Sequence, residues 1–246
     1  MIEAPRRLRR AEAVLQRRTS RLILVLERPT DNHNVQAVLR TAEAFGIQHI
    51  WYVETEGDLA VQISRSITKG SNLWLSLRSF KNPKDCIEAL KKEKFEIWAT
   101  ALDKTSEALE SAKNLLPFPS RVALVMGRES DGISSEMREA ADRLFYLPMH
   151  GFTESFNLSV ATALMVQRCF DACPELSGDF PEDEKKELRE NWYIKLASSR
   201  EAKMFFPKFI QNPPEPLEDH RPEEEFRRPR IPKKLKKRLG MTDDED

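Results

Sequence analysis

The sequence predicts an α/β protein: a parallel sheet with helices on both faces, flanked by a basic N-terminal helix and a charged C-terminal extension. Short apolar runs of strand length alternate with helical patterns between residues 20 and 173, and such alternation marks strand–helix–strand units. The 246 residues are 40% apolar, enough for a core, since ~150 residues already bury most of a chain's apolar surface. The charged share of 33% exceeds the usual ~25%, so part of the chain is expected to lie outside that core.

Taken in order, residues 6–18 read as a basic amphipathic helix with Leu8, Ala11, Val14 and Leu15 on one stripe. The strand candidates are LILVLE (22–27), HIWYV (49–53), EIWATAL (96–102), RVALVMG (121–127) and RLFYLPM (143–149). Helical patterns fill 34–45, 83–92, 134–141 and 156–173. A charged helix follows at about 182–200. Beyond it, Pro207, Pro213, Pro214, Pro216, Pro222, Pro229 and Pro232 exclude helix and central strand. The domain plan is a basic helix (1–20), a sheet domain (21–173), a helical extension (174–206) and a proline-rich tail (207–246) expected to be extended or disordered. No internal repeat is visible.

Equal numbers of basic and acidic residues, 40 each, conceal an uneven distribution. Residues 1–21 hold seven arginines and two acids, and residues 227–238 hold eight bases and no acid. Such blocks are either nucleic-acid tethers or solvated segments that keep a chain soluble. Cys86, Cys169 and Cys173 form no C-x-x-C pair, which predicts neither a disulfide framework nor a zinc site and suits a cytoplasmic setting. The four histidines lack ligand spacing, so no metal is expected. No 18-residue apolar run and no apolar N-terminal segment occur, so neither a membrane span nor a secretory signal is expected.

In a parallel α/β sheet, ligands sit beyond the carboxyl ends of the strands, so the strand-to-helix turns carry the functional information. After 22–27 come Asp31 and Asn32, either able to cap a helix, then Asn34 and, six residues on, Arg40. Neither Asn34 nor Arg40 lies on the apolar stripe of Val35, Leu39 and Ala42. After 121–126 comes Gly127-Arg128-Glu129-Ser130-Asp131-Gly132, a tight turn without dinucleotide or P-loop spacing. After 143–147 come Pro148-Met149-His150-Gly151 and then Ser155-Phe156-Asn157-Leu158-Ser159, polar residues entering an apolar helix. The first two segments alone fit ordinary capping and turn formation; in the third, a cap at Ser155 followed by a buried helix leaves Asn157 without a purpose inside an apolar stretch.

Together the three segments resemble, in order and spacing, the motifs of the SpoU/TrmH branch of the SPOUT superfamily of RNA 2′-O-ribose methyltransferases. The first motif reads Asn34 through Arg40-Thr41-Ala42, the second Gly127 to Gly132, and the third Pro148 to Gly151 with Ser155 to Ala161. Phe156 stands where leucine is usual. Within the branch, His33-Asn34, the segment 68–74 and the flanking extensions resemble the tRNA (guanosine-2′-O)-methyltransferases, which act on guanosine 18 of the D-loop.

The resemblance implies a deep trefoil knot, a homodimer with sites completed across its interface, and S-adenosylmethionine as methyl donor. The implied cofactor contacts are Thr100, Ala101, Leu102, Gly127, Leu147, Met149, Gly151 and Leu158. The implied catalytic set is Arg40, Asn34, Glu129, Ser155 and Asn157. Arg40 is either a base or, more in keeping with a guanidinium pKa above ~12, a fixed cation that positions and stabilises the ribose oxygen. Arg7, Arg10, Arg17, Arg18 and His33 become candidate RNA contacts. The alternatives are methylation of ribosomal RNA or another tRNA position, or a non-catalytic RNA-binding assembly factor of the same fold.

Overall fold

The computed structural model describes residues 4–54, 73–128 and 130–218. Seven strands form one sheet: β1 (Leu22–Glu27), β2 (His49–Val53), β3 (Ser76–Phe80), β4 (Glu96–Thr100), β5 (Glu107–Ala108), β6 (Val122–Met126) and β7 (Arg143–Tyr146). Their spatial order is β3-β2-β1-β6-β4-β7-β5, and every pairing is parallel. The late strand β6 therefore lies between β1 and β4, in register Leu22↔Val122 on one side and Glu96↔Val122 on the other.

The helices are α1 (Arg6–Leu15), α2 (Asn32–Phe45), α3 (Pro83–Lys92), α4 (Ser135–Ala140), α5 (Leu158–Ala172), α6 (Glu182–Leu196) and α7 (Arg200–Phe205). Side chains alternate across a strand, and β1 shows the result. Leu22, Leu24 and Leu26 join a core with Val35, Leu39 and Met165 of α2 and α5. Ile23 and Val25 join a second core on the other face, with Ile87 and Leu90 of α3 and Met137 of α4. Burying each of these aliphatic side chains contributes ~2 kcal/mol.

Local chemistry sets the ends of α2. The Asp31 carboxylate accepts the His33 backbone N–H at 2.7 Å, capping the first turn. Gly46 ends the helix at φ +83°, and a Cβ there would stand 2.4 Å from the carbonyl oxygen of Arg17. Both the left-handed backbone and the close approach require glycine.

A third core joins the two ends of the described chain. Leu8, Ala11 and Leu15 of α1 pack against Trp192 and Tyr193 of α6 and against Phe206. Inside it, Arg189 donates to both oxygens of Glu12 at 2.9 Å, and the Tyr193 hydroxyl donates to Glu12 at 2.6 Å. Burial and the Glu12 carboxylate push the Tyr193 pKa up, so its hydroxyl stays a donor. The N-terminal and C-terminal helices thus form one cap.

Several expectations are corrected. The edge strands β3 and β5 are not among the predicted runs. β3 reads SLRSF, and its Arg78 breaks the apolar pattern by lying 4.5 Å over the Trp51 ring and pairing with Glu93 at 2.6 Å. The predicted helix 6–18 stops at Leu15. The predicted helix 182–200 is two, α6 and α7, with Ser199 capping the second. The segment after 206, expected to be extended, opens with a 3-10 turn at Phe206–Phe209 and returns to α1, where the Leu217 N–H donates to the Arg9 carbonyl at 3.2 Å.

Candidate active site

The carboxyl ends of β4, β6 and β7 open into a cleft of about 400 Å³, within the size range of small-molecule sites. Seven of the eight expected cofactor contacts line it: Thr100, Ala101 and Leu102 after β4, Gly127 after β6, Leu147 and Met149 after β7, and Leu158 at the start of α5. Gly151 does not; it is exposed, with open space around its Cα. Ser155 also lines the cleft. Glu129 lies outside the described residues, as do residues 68–72 and 227–238.

The loop after β6 is tightly folded. A Cβ on Gly127 would stand 2.3 Å from the Gly132 carbonyl carbon, so only glycine fits there. Arg128 and Gly132 pair through their backbones, and Arg128 grips the Asp131 carboxylate with two N–H groups. Those hydrogen bonds, with Ser130 assisting, hold the Asp131 carboxyl down to about 2. Across the cleft, Arg138 pairs with Asp103. The Thr105 hydroxyl and N–H, with help from Ser106 and Arg138, likewise hold Asp103 at about 2.

Two residues at the end of β1 tie this loop to the turn before α2. Glu27 is fully buried, and one of its oxygens accepts the Ser134 N–H at 2.9 Å. Arg28, at φ +50°, reaches Asp131 at 3.7 Å. Neither is marked by a motif. Glu154 is another residue without a motif signal: it lines the cleft, is exposed, and pairs with no described residue.

The first-motif residues lie outside this cleft. Asn157 caps α5 by accepting the Ser159 N–H, and its amide donates to the Asn34 side chain at 2.9 Å, linking α5 to α2. Arg40, on α2, is exposed and makes no hydrogen bond or ion pair with a described residue. Arg40, Asn34 and Asn157 do not line this cleft. Beside them, Phe156, Val160 and Leu164 form an exposed apolar stripe with four-residue spacing, and Phe152 projects fully.

Of the expected RNA contacts, Arg7, Arg10, Arg17 and His33 are exposed. Arg18 is a correction. It lies past the end of α1, is fully buried, donates to the Ile47 carbonyl at 3.4 Å, and pairs with Glu43 at 3.4 Å. Its guanidinium sits 5.2 Å over the Trp192 ring, and desolvation lowers its pKa against the pull of Glu43.

The cleft walls suit a nucleoside-bearing cation. The apolar side chains of Met126, Ile133, Phe145 and Ala161 line one part, and backbone groups of the three turns line another. The charges balance, with Arg128 and Arg138 against Asp131 and Glu154. Among the described residues no group of acids, histidines or cysteines could hold a metal ion, and no helix is long and apolar enough to cross a membrane.

Residues 21–167 match the model of the SpoU rRNA Methylase family. The chain is 34% identical over 192 residues to the tRNA (guanosine(18)-2′-O)-methyltransferase of Borreliella burgdorferi, covering 77% of this chain and 85% of that protein. The crystal structure of the A. aeolicus TrmH/SpoU tRNA modifying enzyme superposes with a TM-score of 0.67 at 30% identity, covering 77% of this chain and 96% of that one. The AdoMet-bound rRNA methyltransferase from Sinorhizobium meliloti gives a TM-score of 0.54 at 25% identity, over 64% and 59% of the two chains.

Proposed function

The chain belongs to the SpoU rRNA methylase family, and from that membership we propose that it methylates the 2′-hydroxyl of guanosine 18 in the tRNA D-loop. S-adenosylmethionine is the donor. The observation that carries the reading is the cleft at the strand ends, where the second and third motifs converge on a space of nucleoside size. Similarity to a tRNA (guanosine(18)-2′-O)-methyltransferase over 77% of the chain supports the nucleotide.

The bound donor supplies a methyl group already activated on a sulfonium. The chain's own residues must bind, orient and assist the acceptor oxygen. Glu154 offers an unpaired carboxylate to a cationic or hydroxylated ligand in the cleft. Gly127 and the Arg128–Asp131 clamp keep the floor of the cleft fixed. The two-pronged guanidinium of Arg40 is suited to gripping an RNA phosphate and stabilising the 2′-oxygen as its proton passes to that phosphate or to water and the methyl group leaves the sulfonium. Asn34, Ser155 and Asn157 position the acceptor, and Glu129 belongs to the same proposed catalytic set. Arg7, Arg10, Arg17 and His33 draw RNA phosphates.

The reading includes a homodimer, in which Arg40 of one copy faces the cleft of the other. The exposed stripe of Phe156, Val160 and Leu164 supports it, because such a patch on a monomer normally marks an interface. It also includes a trefoil knot at the C-terminal side of the sheet, supported by the insertion of β6 between β1 and β4. The domain plan is a 21–173 catalytic unit with flanking cap segments, and the setting is the cytoplasm. Ribosomal RNA is the second substrate reading, favoured by the AdoMet-bound rRNA methyltransferase among the similar structures.

The test is purified protein with unmodified tRNA transcripts, ribosomal RNA and a donor labelled on its methyl group, followed by nuclease mapping. Label at the 2′-oxygen of guanosine 18 is expected. Label confined to ribosomal RNA, or no label with either, overturns the assignment.

A further inference from the structure

A second cleft of about 490 Å³ lies between α1, the end of α6 and the segment preceding β3. Four cations line it, Arg7, Arg10, Arg18 and Lys195, against one carboxylate, Glu43. That carboxylate already pairs with Arg18. Arg10 has no partner among the described residues, and Arg7 has only the Ser198 hydroxyl, at 3.2 Å. The wall is aromatic. Trp74 stands half-exposed, its ring 5.5 Å from that of buried Trp192 at 82°. Arg18, fully buried on this wall, also carries an Nε without a hydrogen-bond partner among the described residues.

Two arginines, Arg7 and Arg10, without a carboxylate partner among the described residues, beside an aromatic wall, are the chemistry that takes a nucleotide: phosphate on the arginines, base against the indole. Glu43 follows Arg40 by three residues on α2, which places the two side chains on neighbouring positions of one helix face. We infer that this cleft binds one unpaired nucleotide of the RNA substrate, with its base against Trp74 and its phosphate held by Arg7 and Arg10. The inference rests on the reading of the chain as an RNA methyltransferase, and it adds a base-holding subsite outside the three motifs.

The test uses the full chain and measures binding of an unmodified tRNA transcript without donor. Trp74→Ala is expected to weaken tRNA binding by about tenfold or more, the loss of one stacked base. Trp74→Phe, which keeps a ring, is expected to bind within about threefold and to lose most of the tRNA-induced quenching of tryptophan emission. Both should retain the parental affinity for S-adenosylmethionine, which reports an intact sheet domain. If Trp74→Ala does not fold, Arg10→Ala at the exposed rim is the second probe, expected to lower the salt slope of tRNA binding by about one. Parental tRNA affinity in Trp74→Ala, or in Arg10→Ala with an unchanged salt slope, overturns the inference. So does quenching by guanosine monophosphate that tRNA does not displace, because the pocket would then serve a free nucleotide. A protein that methylates no RNA but still binds tRNA through Trp74 would sink the enzyme reading and leave the cleft standing, so the two failures are distinguishable.

Discussion

The two clefts are of similar size and opposite electrical character. The one at the strand ends, about 400 Å³, sets two cations, Arg128 and Arg138, against two carboxylates, Asp131 and Glu154, among its described lining residues. The one under α1, about 490 Å³, presents Arg7 and Arg10, neither with a carboxylate partner among the described residues. A site for a small ligand that carries its own positive charge gains from a neutral, fixed wall. A surface for a polyanion gains from unmatched cations, whose field reaches about 8–10 Å at ordinary salt. On the proposed reading, the contrast separates two duties, holding the donor and holding the RNA, between two layers of the molecule.

The sharpest way to break this separation is Arg40→Ala. Turnover in single-turnover assays is expected to fall by about 10²–10³, while donor and tRNA affinities stay within about threefold. Equal losses in binding and turnover would show that Arg40 merely anchors RNA. Next in size is the pair Arg17→Ala and Arg18→Ala, read by urea denaturation. The buried Arg18, with its Glu43 pair and its Trp192 stack, is expected to cost about 2–4 kcal/mol. Exposed Arg17 is expected to cost less than about 0.5 kcal/mol.

Gly127→Ala probes the first cleft alone. Its new Cβ would meet Gly132 at 2.3 Å, so donor affinity is expected to fall about tenfold, with tRNA affinity unchanged. A matching fall in tRNA affinity would mean that the clefts are coupled. The smallest effect concerns the junction between sheet and cap, where Asp179 accepts the Ser20 N–H at 3.3 Å. Burial raises its carboxyl pKa above the ordinary value despite the hydrogen bonds and nearby Arg21. A raised acid disfavours ionisation in the folded state, so stability is lost as pH climbs from the ordinary carboxylate range through the folded value. Asp179→Asn should remove that loss, raising the urea midpoint slightly at pH 7 and not at pH 3.

The strand-end cleft was legible because its residues come as strand–turn–helix strings, each contiguous in the chain. The second cleft was not, because Arg7, Trp74 and Lys195 meet only through packing. Arg18 misled for a related reason. Eleven residues after Arg7, it would share a face with it on a continuous helix, but α1 ends at Leu15 and the chain turns inward. The unforeseen strands β3 and β5 are the two sheet edges, where polar side chains break the apolar run. Glu27 and Arg28 bear on the site through tertiary reach, which a linear pattern does not record.

The Glu12–Arg189 clasp has a bearing on biosynthesis. Its partners are 177 positions apart, so a nascent chain growing at about 5–20 residues per second waits about 10–35 s between making one and the other. During that interval Leu8 and Leu15 lack their aromatic counterparts, and the tryptophan-lined cation cluster does not exist. The cap that carries this cluster is therefore completed only after every strand of the sheet has been made.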